Sequence, residues 1–139
     1  PVRPLPDPPP AVGPGGIAVG TPLGSREAVL TEAEFHRSLA AFGETHPLYT
    51  GHAVVHSGCL VRRTMFDTHR NFRLPAPVVF VSAEAQHFAP VSPGQSLATA
   101  GAVTAAYERK GRHYAETEDL LVVDRTRVAA RFRRTWIYA

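Results

Sequence analysis

Scarce residue types and missing segments exclude several classes of protein before any motif is considered. The chain has one cysteine, so it forms no internal disulfide and suits a reducing compartment. No hydrophobic run approaches the roughly 20 residues that cross a bilayer, and the first residues lack the charged stretch and apolar core of a secretory signal. No Lys/Arg-rich run marks a nucleic-acid tract. We therefore expect a cytoplasmic protein that binds neither membrane nor nucleic acid.

What the chain does contain fits one globular domain. Its 139 residues are 44% hydrophobic and 19% charged, with a formal net charge of +3. The first 16 residues, "PVRPLPDPPPAVGPGG", are rich in proline and glycine and predict a disordered tail without fixed secondary structure. The domain itself is expected to span residues 17–139, with a first strand within residues 17–30.

Capping signals predict a helix over "LTEAEFHRSLAAFG". Thr31 and Glu34 are spaced as a capping box, in which each satisfies a backbone N–H group of the first turn. Gly43 is placed to end the helix in the left-handed conformation. The apolar face is formed by Phe35, Leu39 and Phe42.

A second helix is predicted over "SGCLVRRTMFDTHRNF". Ser57 is its candidate N-cap, and two prolines, Pro75 and Pro77, end it. The apolar stripe expected to face the core contains Leu60, Met65, Phe66 and Phe72.

The C-terminal half predicts four strands separated by short turns. The strands are "VVFVSAEAQHFAPV", "SLATAGAVTAAYERK", "RHYAETEDLLVVD" and "RVAARFRRTWIY", and the turns are "SPGQ", "KGR" and "DRTR". Such short turns favour consecutive antiparallel pairing in a meander. A sheet with one apolar face has to be covered, and the second helix is the available cover. We therefore predict an α+β protein with a single hotdog domain, an antiparallel sheet wrapped around a central helix.

Arginines cluster in the last of these strands. Arg131 and Arg133 share one face of it, while Arg134 takes the other. This pattern is typical of a solvated sheet edge, and the alternative is contact with an acidic ligand.

Between the two helices lies "GETHPLYTGHAVVHSGCL", the stretch richest in groups that can do chemistry. "GETHPLYTG" resembles the Gly-Asp-x-Asn-Pro-Leu-His segment of MaoC-like acyl dehydratases and (R)-specific enoyl-CoA hydratases. "VVHSGCL" is similar to the segment that opens their central helix, and "FAPVSPGQSLATAGAV" resembles their Phe-x-x-Pro-Val-x-x-Gly-Asp strand-turn-strand. "YERKGRHYAETEDLLV" also looks like segments of some members. The likeness covers about residues 17–139.

The resemblance implies an acid–base site that is altered here. In the family an Asp and a His, spaced Asp-x4-His, hold a water and share the proton transfers of hydration. The Asp falls on Glu44, the intervening Asn on His46, and the catalytic His on Tyr49. A phenol is a poor base at neutral pH, so we expect His56 or His46 to act with Glu44 while Tyr49 orients the substrate.

The start of the second helix is the expected place of the thioester. Backbone N–H groups of Gly58 and Cys59, next to Ser57, are candidates to bind its carbonyl oxygen, where the helix dipole also helps. On a central helix we expect Cys59 to be a small buried apolar residue, and the alternative is a thiol whose pKa is lowered by the helix N-terminus. His52 and His56 have i, i+4 spacing, but no third ligand is evident and no metal site is predicted.

Three functions follow from the resemblance. The first is a hydratase or dehydratase of acyl thioesters, bound to coenzyme A or a carrier protein, in a biosynthetic pathway such as polyketide or fatty-acyl metabolism. The second is a non-catalytic hotdog subunit that pairs with a catalytic partner, and the third is a hotdog thioesterase with Asp67 as its carboxylate. The resemblance implies no cofactor, an acyl thioester as the ligand, and a homodimer or a heterodimer with another hotdog chain.

Overall fold

The described part of the chain, residues 1–51 and 53–139 of a computed structural model, places its helices before four long strands. In chain order the elements are β1 (Pro22–Leu23), β2 (Ala28–Val29), α1 (Glu32–Phe42), α2 (Pro47–Thr50), α3 (Ser57–His69), β3 (Val79–His87), β4 (Ser96–Arg109), β5 (Arg112–Val123) and β6 (Arg127–Ile137). No helix among these residues is long and apolar enough to span a membrane.

The limits of α1 are the predicted ones. The Thr31 hydroxyl accepts a hydrogen bond from the Glu34 N–H at 3.1 Å, and Gly43 ends the helix with φ 64°. Phe35 and Leu39 of the predicted apolar face are buried. Phe42 of the last turn is 46% exposed instead, and its ring lies 5.1 Å from the ring of His56.

Helix α3 is the central helix, but its cap differs from the prediction. His56, not Ser57, is the N-cap, because its Nδ1 accepts the N–H of Gly58 at 3.0 Å. The predicted apolar stripe was also wrong for Phe66, which is 47% exposed. The face buried against the sheet consists of Cys59, Leu60, Thr64 and Thr68.

Threonines occupy that face because the middle of the sheet is polar. Arg134 of β6 and Asp119 of β5 form a buried ion pair, with Nη1 and Oδ2 2.8 Å apart. Thr68 donates to the same carboxylate oxygen at 3.0 Å, and Thr64 accepts from Arg134. The network divides the apolar core in two, one cluster around Phe132 and the other around Trp136. It ties the helix to the sheet between them.

Gly101 of β4 lies directly against this ion pair. It faces Asp119 across the β4–β5 ladder, and a Cβ there would overlap both the Asp119 carboxylate and the Glu118 carbonyl oxygen. Overpacking of this kind typically costs about 1–3 kcal/mol. We expect Gly101→Ala to lower the free energy of unfolding, measured in urea, by the upper part of that range. Gly13→Ala is the control, because no atom lies within 4 Å of a Cβ there, and it should leave the free energy of unfolding nearly unchanged. Equal losses in the two variants would contradict the close packing of Gly101 against Asp119.

The sheet is antiparallel, in the order β1-β4-β5-β6-β3, with β2 beside the start of β4. Strands β4, β5 and β6 form the predicted meander. The expected pairing of β3 with β4 was wrong, because β3 pairs with β6. The end of β3 lies beside Ala130, whereas the start of β4 lies beside Val123, so residues 88–95 pass across the end of the β5–β6 hairpin.

The position of β6 changes the interpretation of its arginines. The strand lies between β5 and β3, so it is not a sheet edge. Arg133 forms an ion pair with Glu118 on the outer face, and Arg131 donates to Gln86 at 3.0 Å. Arg134 points to the helix side as alternation predicts, but it is buried.

Residues 1–16 contain no helix or extended strand, yet they lie against the domain. Ala11 forms an isolated parallel bridge with Arg73 just after α3, and the Ser25 N–H donates to the Arg3 carbonyl at 2.8 Å. A Cβ at Gly24 would overlap the Pro4 backbone, so the segment packs closely there. The boundary between tail and domain at residue 16 stays a prediction.

Candidate active site at the start of the central helix

Glu44 and His56 meet at the N-terminus of α3. Glu44 directly follows the left-handed Gly43, which turns the chain back across the start of the central helix. Its Oε2 lies 3.5 Å from His56 Nε2, and its Oε1 accepts the His46 N–H at 2.8 Å. The two side chains keep 24% and 23% of their surface exposed, so the pair is accessible to a small molecule.

The cap determines how the proton of His56 is placed. Nδ1 accepts a hydrogen bond from the Gly58 N–H, so the neutral ring carries its hydrogen on Nε2. Nε2 is the ring nitrogen that lies 3.5 Å from the Glu44 carboxylate. The pair therefore consists of one hydrogen-bond donor, the imidazole, and one proton acceptor, the carboxylate.

Two aromatic rings hold the imidazole in place. Tyr49 of α2 meets the His56 ring edge-on, with centroids 5.0 Å apart, and Phe42 packs on it from the end of α1. Tyr49 is half-buried against the core cluster around Phe132. Tyr49, which the resemblance matched to a catalytic histidine, therefore supports the ring of another histidine.

His46 has a local structural function. Its Nδ1 accepts the Leu48 N–H at 3.1 Å, which caps the short helix α2 and occupies the nitrogen lone pair. The side chain is exposed and its ring lies 6.1 Å from that of Tyr49. The geometry therefore favours His56 over His46 as the partner of Glu44.

The sequence did not indicate that His87 reaches the same helix start. This last residue of β3 has its Nε2 2.7 Å from the Ser57 hydroxyl oxygen. Partial burial lowers the pKa of His87, which favours its neutral form. Nothing in "AEAQHFAPV" distinguishes this histidine from a solvated strand residue, because the contact spans 30 positions and depends on where β3 lies.

Two backbone N–H groups in the first turn of α3 already donate hydrogen bonds within the chain. The Gly58 N–H donates to the His56 ring, and the Cys59 N–H donates to the His56 carbonyl at 3.0 Å. Among the described residues no acceptor lies at the Ser57 N–H. Burial raises the pKa of the Cys59 thiol, which agrees with the expected buried apolar residue and not with a thiol activated by the helix N-terminus. Cys59 is a small core residue.

Within residues 1–51 and 53–139 no group of three or more His, Cys, Asp and Glu side chains is arranged to hold a metal ion. His52, the i, i+4 partner of His56 in the sequence, lies outside the described residues.

Asp67 lies too far along α3 to act with the pair. Eleven residues separate it from His56, about 16 Å of helix at 1.5 Å per residue. Its carboxylate accepts from Ser25 at 3.2 Å and pairs with Arg70 at 3.4 Å. These contacts do not favour the thioesterase interpretation.

No protein-family model matches the chain, and no curated protein matches its sequence. Solved structures do match. The (R)-hydratase PhaJ1 from Pseudomonas aeruginosa aligns with a TM-score of 0.73 and 12% identity, over 90% of this chain and 84% of that one. A MaoC-like dehydratase from Rhodospirillum rubrum aligns with a TM-score of 0.68 and 15% identity, over 88% and 93%.

A third match is an assembly. The HadBC (3R-hydroxyacyl-ACP dehydratase) complex from Mycobacterium tuberculosis aligns with a TM-score of 0.65 and 16% identity, over 81% of this chain and 90% of that one. The chain therefore has the hotdog fold that was predicted, like MaoC-like dehydratases and (R)-hydratases. At these identities the likeness establishes the fold, and the chemistry rests on the residues of the site.

Proposed function

We propose that this chain hydrates 2-enoyl thioesters, or dehydrates the corresponding 3-hydroxyacyl thioesters, with Glu44 as the acid–base group. The observation that carries the proposal is the 3.5 Å approach of Glu44 Oε2 to His56 Nε2 at the start of the central helix. The pair supplies a carboxylate and an imidazole, as in the family motif, although the imidazole comes from the helix cap and not from the position of Tyr49.

The proton placement assigns different roles to the two groups. The carboxylate takes a proton from water while the oxygen bonds to the β-carbon, and the carbon–carbon π electrons move to form the thioester enolate. The protonated carboxyl then returns its proton to the α-carbon, so one group performs both transfers. His56 is the positioning residue in this proposal, since its Nε2 lies 3.5 Å from the carboxylate and orients it by donating a hydrogen bond as the two groups close.

The enolate oxygen requires a donor, and the first turn of α3 provides one. The Ser57 N–H is the donor without an acceptor among the described residues, and the helix dipole adds positive potential there. The Ser57 hydroxyl, held by His87, lies beside it. In this proposal Ser57 takes the carbonyl-binding role that the sequence assigned to Gly58 and Cys59.

The direct test is a spectrophotometric assay of the purified chain with crotonyl-CoA. We expect loss of the enoyl chromophore in the wild type. A wild-type chain that is inactive alone, but active when mixed with a second hotdog chain carrying an Asp-x4-His pair, would favour the non-catalytic subunit instead.

We also propose that β3 pairs with β3 of a second copy of this chain. Every residue of β3 is exposed and its outer edge has no partner strand among the described residues, although Val79, Phe80 and Val81 are apolar. An unprotected apolar edge of nine residues favours strand pairing. The HadBC dehydratase is likewise a complex.

This pairing predicts a dimer that a charge on β3 weakens. We expect light scattering to give the mass of a dimer for the wild type and a smaller average mass for Val79→Lys. Val19→Lys is the matched control, because Val19 is 62% exposed and Val79 56%, but Val19 lies outside the sheet. A monomeric wild type, or equal dissociation of both variants, would refute pairing through β3.

A further inference from the structure

A groove rich in arginine lies between α1, β2 and α3. The cavity measures about 460 Å³, a size suited to a small-molecule ligand. Five arginines line it, and we call it the arginine groove: Arg26, Arg37, Arg62, Arg63 and Arg70. The two carboxylates that line it are Glu34 and Asp67.

The charges of this groove do not cancel. Glu34 pairs with Arg63, and Asp67 pairs with Arg70 at 3.4 Å. The other three arginines are exposed and form no ion pair with any carboxylate of residues 1–51 and 53–139; they are Arg26, Arg37 and Arg62. Arg26 precedes β2, Arg37 lies on α1 and Arg62 on α3, so three separate segments bring positive charge to the cavity. Arginine in such a position is suited to phosphate, which its planar fork binds with two hydrogen bonds.

An exposed aromatic ring lies among these charges. Phe66 of α3 lines the groove with about half of its surface exposed, and the Arg62 guanidinium carbon lies 5.9 Å from its ring centroid. A flat apolar face beside a cation is suited to stacking of a heteroaromatic base. Phosphate-binding and base-stacking groups together indicate a phosphorylated nucleotide.

The groove also reaches the candidate active site. Phe42 and Cys59 also line it, and the Phe42 ring packs on His56. Phe66 lies ten residues beyond His56, about 15 Å along the helix. An extended pantetheine arm bridges such a distance.

We propose that the arginine groove binds the adenosine-phosphate end of coenzyme A, with the base against Phe66 and the phosphates bound by Arg26, Arg37 and Arg62. The inference rests on the proposed function, because it makes coenzyme A the carrier of the acyl group. A phosphopantetheine group on a carrier protein has the phosphodiester and the arm but lacks the adenosine and its 3′-phosphate.

The test uses adenosine 3′,5′-bisphosphate, which has neither a thioester nor a pantetheine arm. Titration calorimetry is expected to detect binding to the wild-type chain, at least tenfold weaker binding to Arg62→Ala and Phe66→Ala, and none of unphosphorylated adenosine. Arg112→Ala is the matched control, since Arg112 is an exposed arginine at the far end of the long β4–β5 hairpin, and should bind as the wild type does. Thermal unfolding of each variant identifies any loss of fold.

The outcomes separate this inference from the proposed function. Bisphosphate binding that depends on Arg62, in a chain that hydrates no enoyl thioester, would support nucleotide binding in the groove and refute the proposed hydratase activity. Hydration of crotonyl-CoA with the same KM in Arg62→Ala as in the wild type would support the hydratase activity and overturn coenzyme A binding in the groove. Failure of the wild type to bind the bisphosphate, or a preference for an acyl-carrier substrate unaffected by Arg62→Ala, would also overturn it.

Discussion

Replacing Glu44 by glutamine is expected to lower the hydration rate by about 10²- to 10⁴-fold, the range typical of a general acid–base group. The amide keeps the size of the side chain and an oxygen that can accept the His46 N–H, as Oε1 does now at 2.8 Å. It cannot take a proton from water at neutral pH. The loss should therefore appear in kcat, measured with crotonyl-CoA, with little change in the unfolding temperature.

A matched control tests whether the effect belongs to this carboxylate. Glu32→Gln removes an exposed carboxylate from the first turn of α1, away from His56, and should leave kcat within a factor of two. His56→Asn separates positioning from capping, because asparagine also caps helices while removing the ring beside Glu44. It is expected to lower kcat and retain stability. Normal turnover in Glu44→Gln would exclude Glu44 as the base.

Truncation of Arg134 to alanine is expected to cost about 3–5 kcal/mol of folding free energy, the range found when one member of a buried ion pair is removed. Arg134 is buried between the sheet and α3, where it pairs with Asp119 and donates to the Val61 carbonyl at 3.1 Å. Its removal leaves the carboxylate without its cation at the centre of the fold. Urea unfolding, followed by circular dichroism, measures the change.

The adjacent arginine is the control. Arg133 pairs with Glu118 at 2.8 Å on the outer face of the sheet, and exposed pairs contribute about 0–1 kcal/mol. Arg133→Ala should therefore cost far less than Arg134→Ala. Equal losses of folding free energy in the two variants would contradict the idea that burial makes the Arg134–Asp119 pair the more important one.

The deficit in folding free energy of Arg134→Ala, relative to the wild type, should also depend on pH. Burial raises the pKa of the Asp119 carboxyl, and Arg134 opposes that rise, so the pKa rises further in the variant. A carboxyl with a raised pKa in the folded state favours folding at low pH and loses this advantage as the pH rises through that value. The deficit should therefore be smaller at about pH 5 than at about pH 8. A deficit that is constant over this interval would contradict the uptake of a proton by Asp119.

The elements of the fold were predictable where their signals are local. The capping box of Thr31 and Glu34, with Gly43 at the other end, limits α1 because the donors and acceptors lie within a few residues of each other. The long strands end at turns whose residues are adjacent in the chain. The helix cap at His56 was missed because serine is the commoner cap and lies next to it.

The candidate site was predictable in part. Glu44 and His56 were both named from the resemblance, but their pairing depends on how the chain returns from α1 to α3. Tyr49 was expected to contact the substrate, whereas it packs against His56. His87 gave no local signal, because it meets Ser57 only after β3 has paired with β6.

The stretch between residues 43 and 60 is rich in reactive groups in the sequence alone, and local signals specify the two main helices and the four long strands. These follow from backbone capping, turn chemistry and periodicity, which act over a few residues. Long-range packing, by contrast, places β3 beside β6, brings Arg134 to Asp119, and gathers arginines from three separate segments in one groove. Those arrangements depend on contacts between residues far apart in the chain. Burial of one surface against another decides which surfaces pair, and no short-range sequence pattern specifies that pairing.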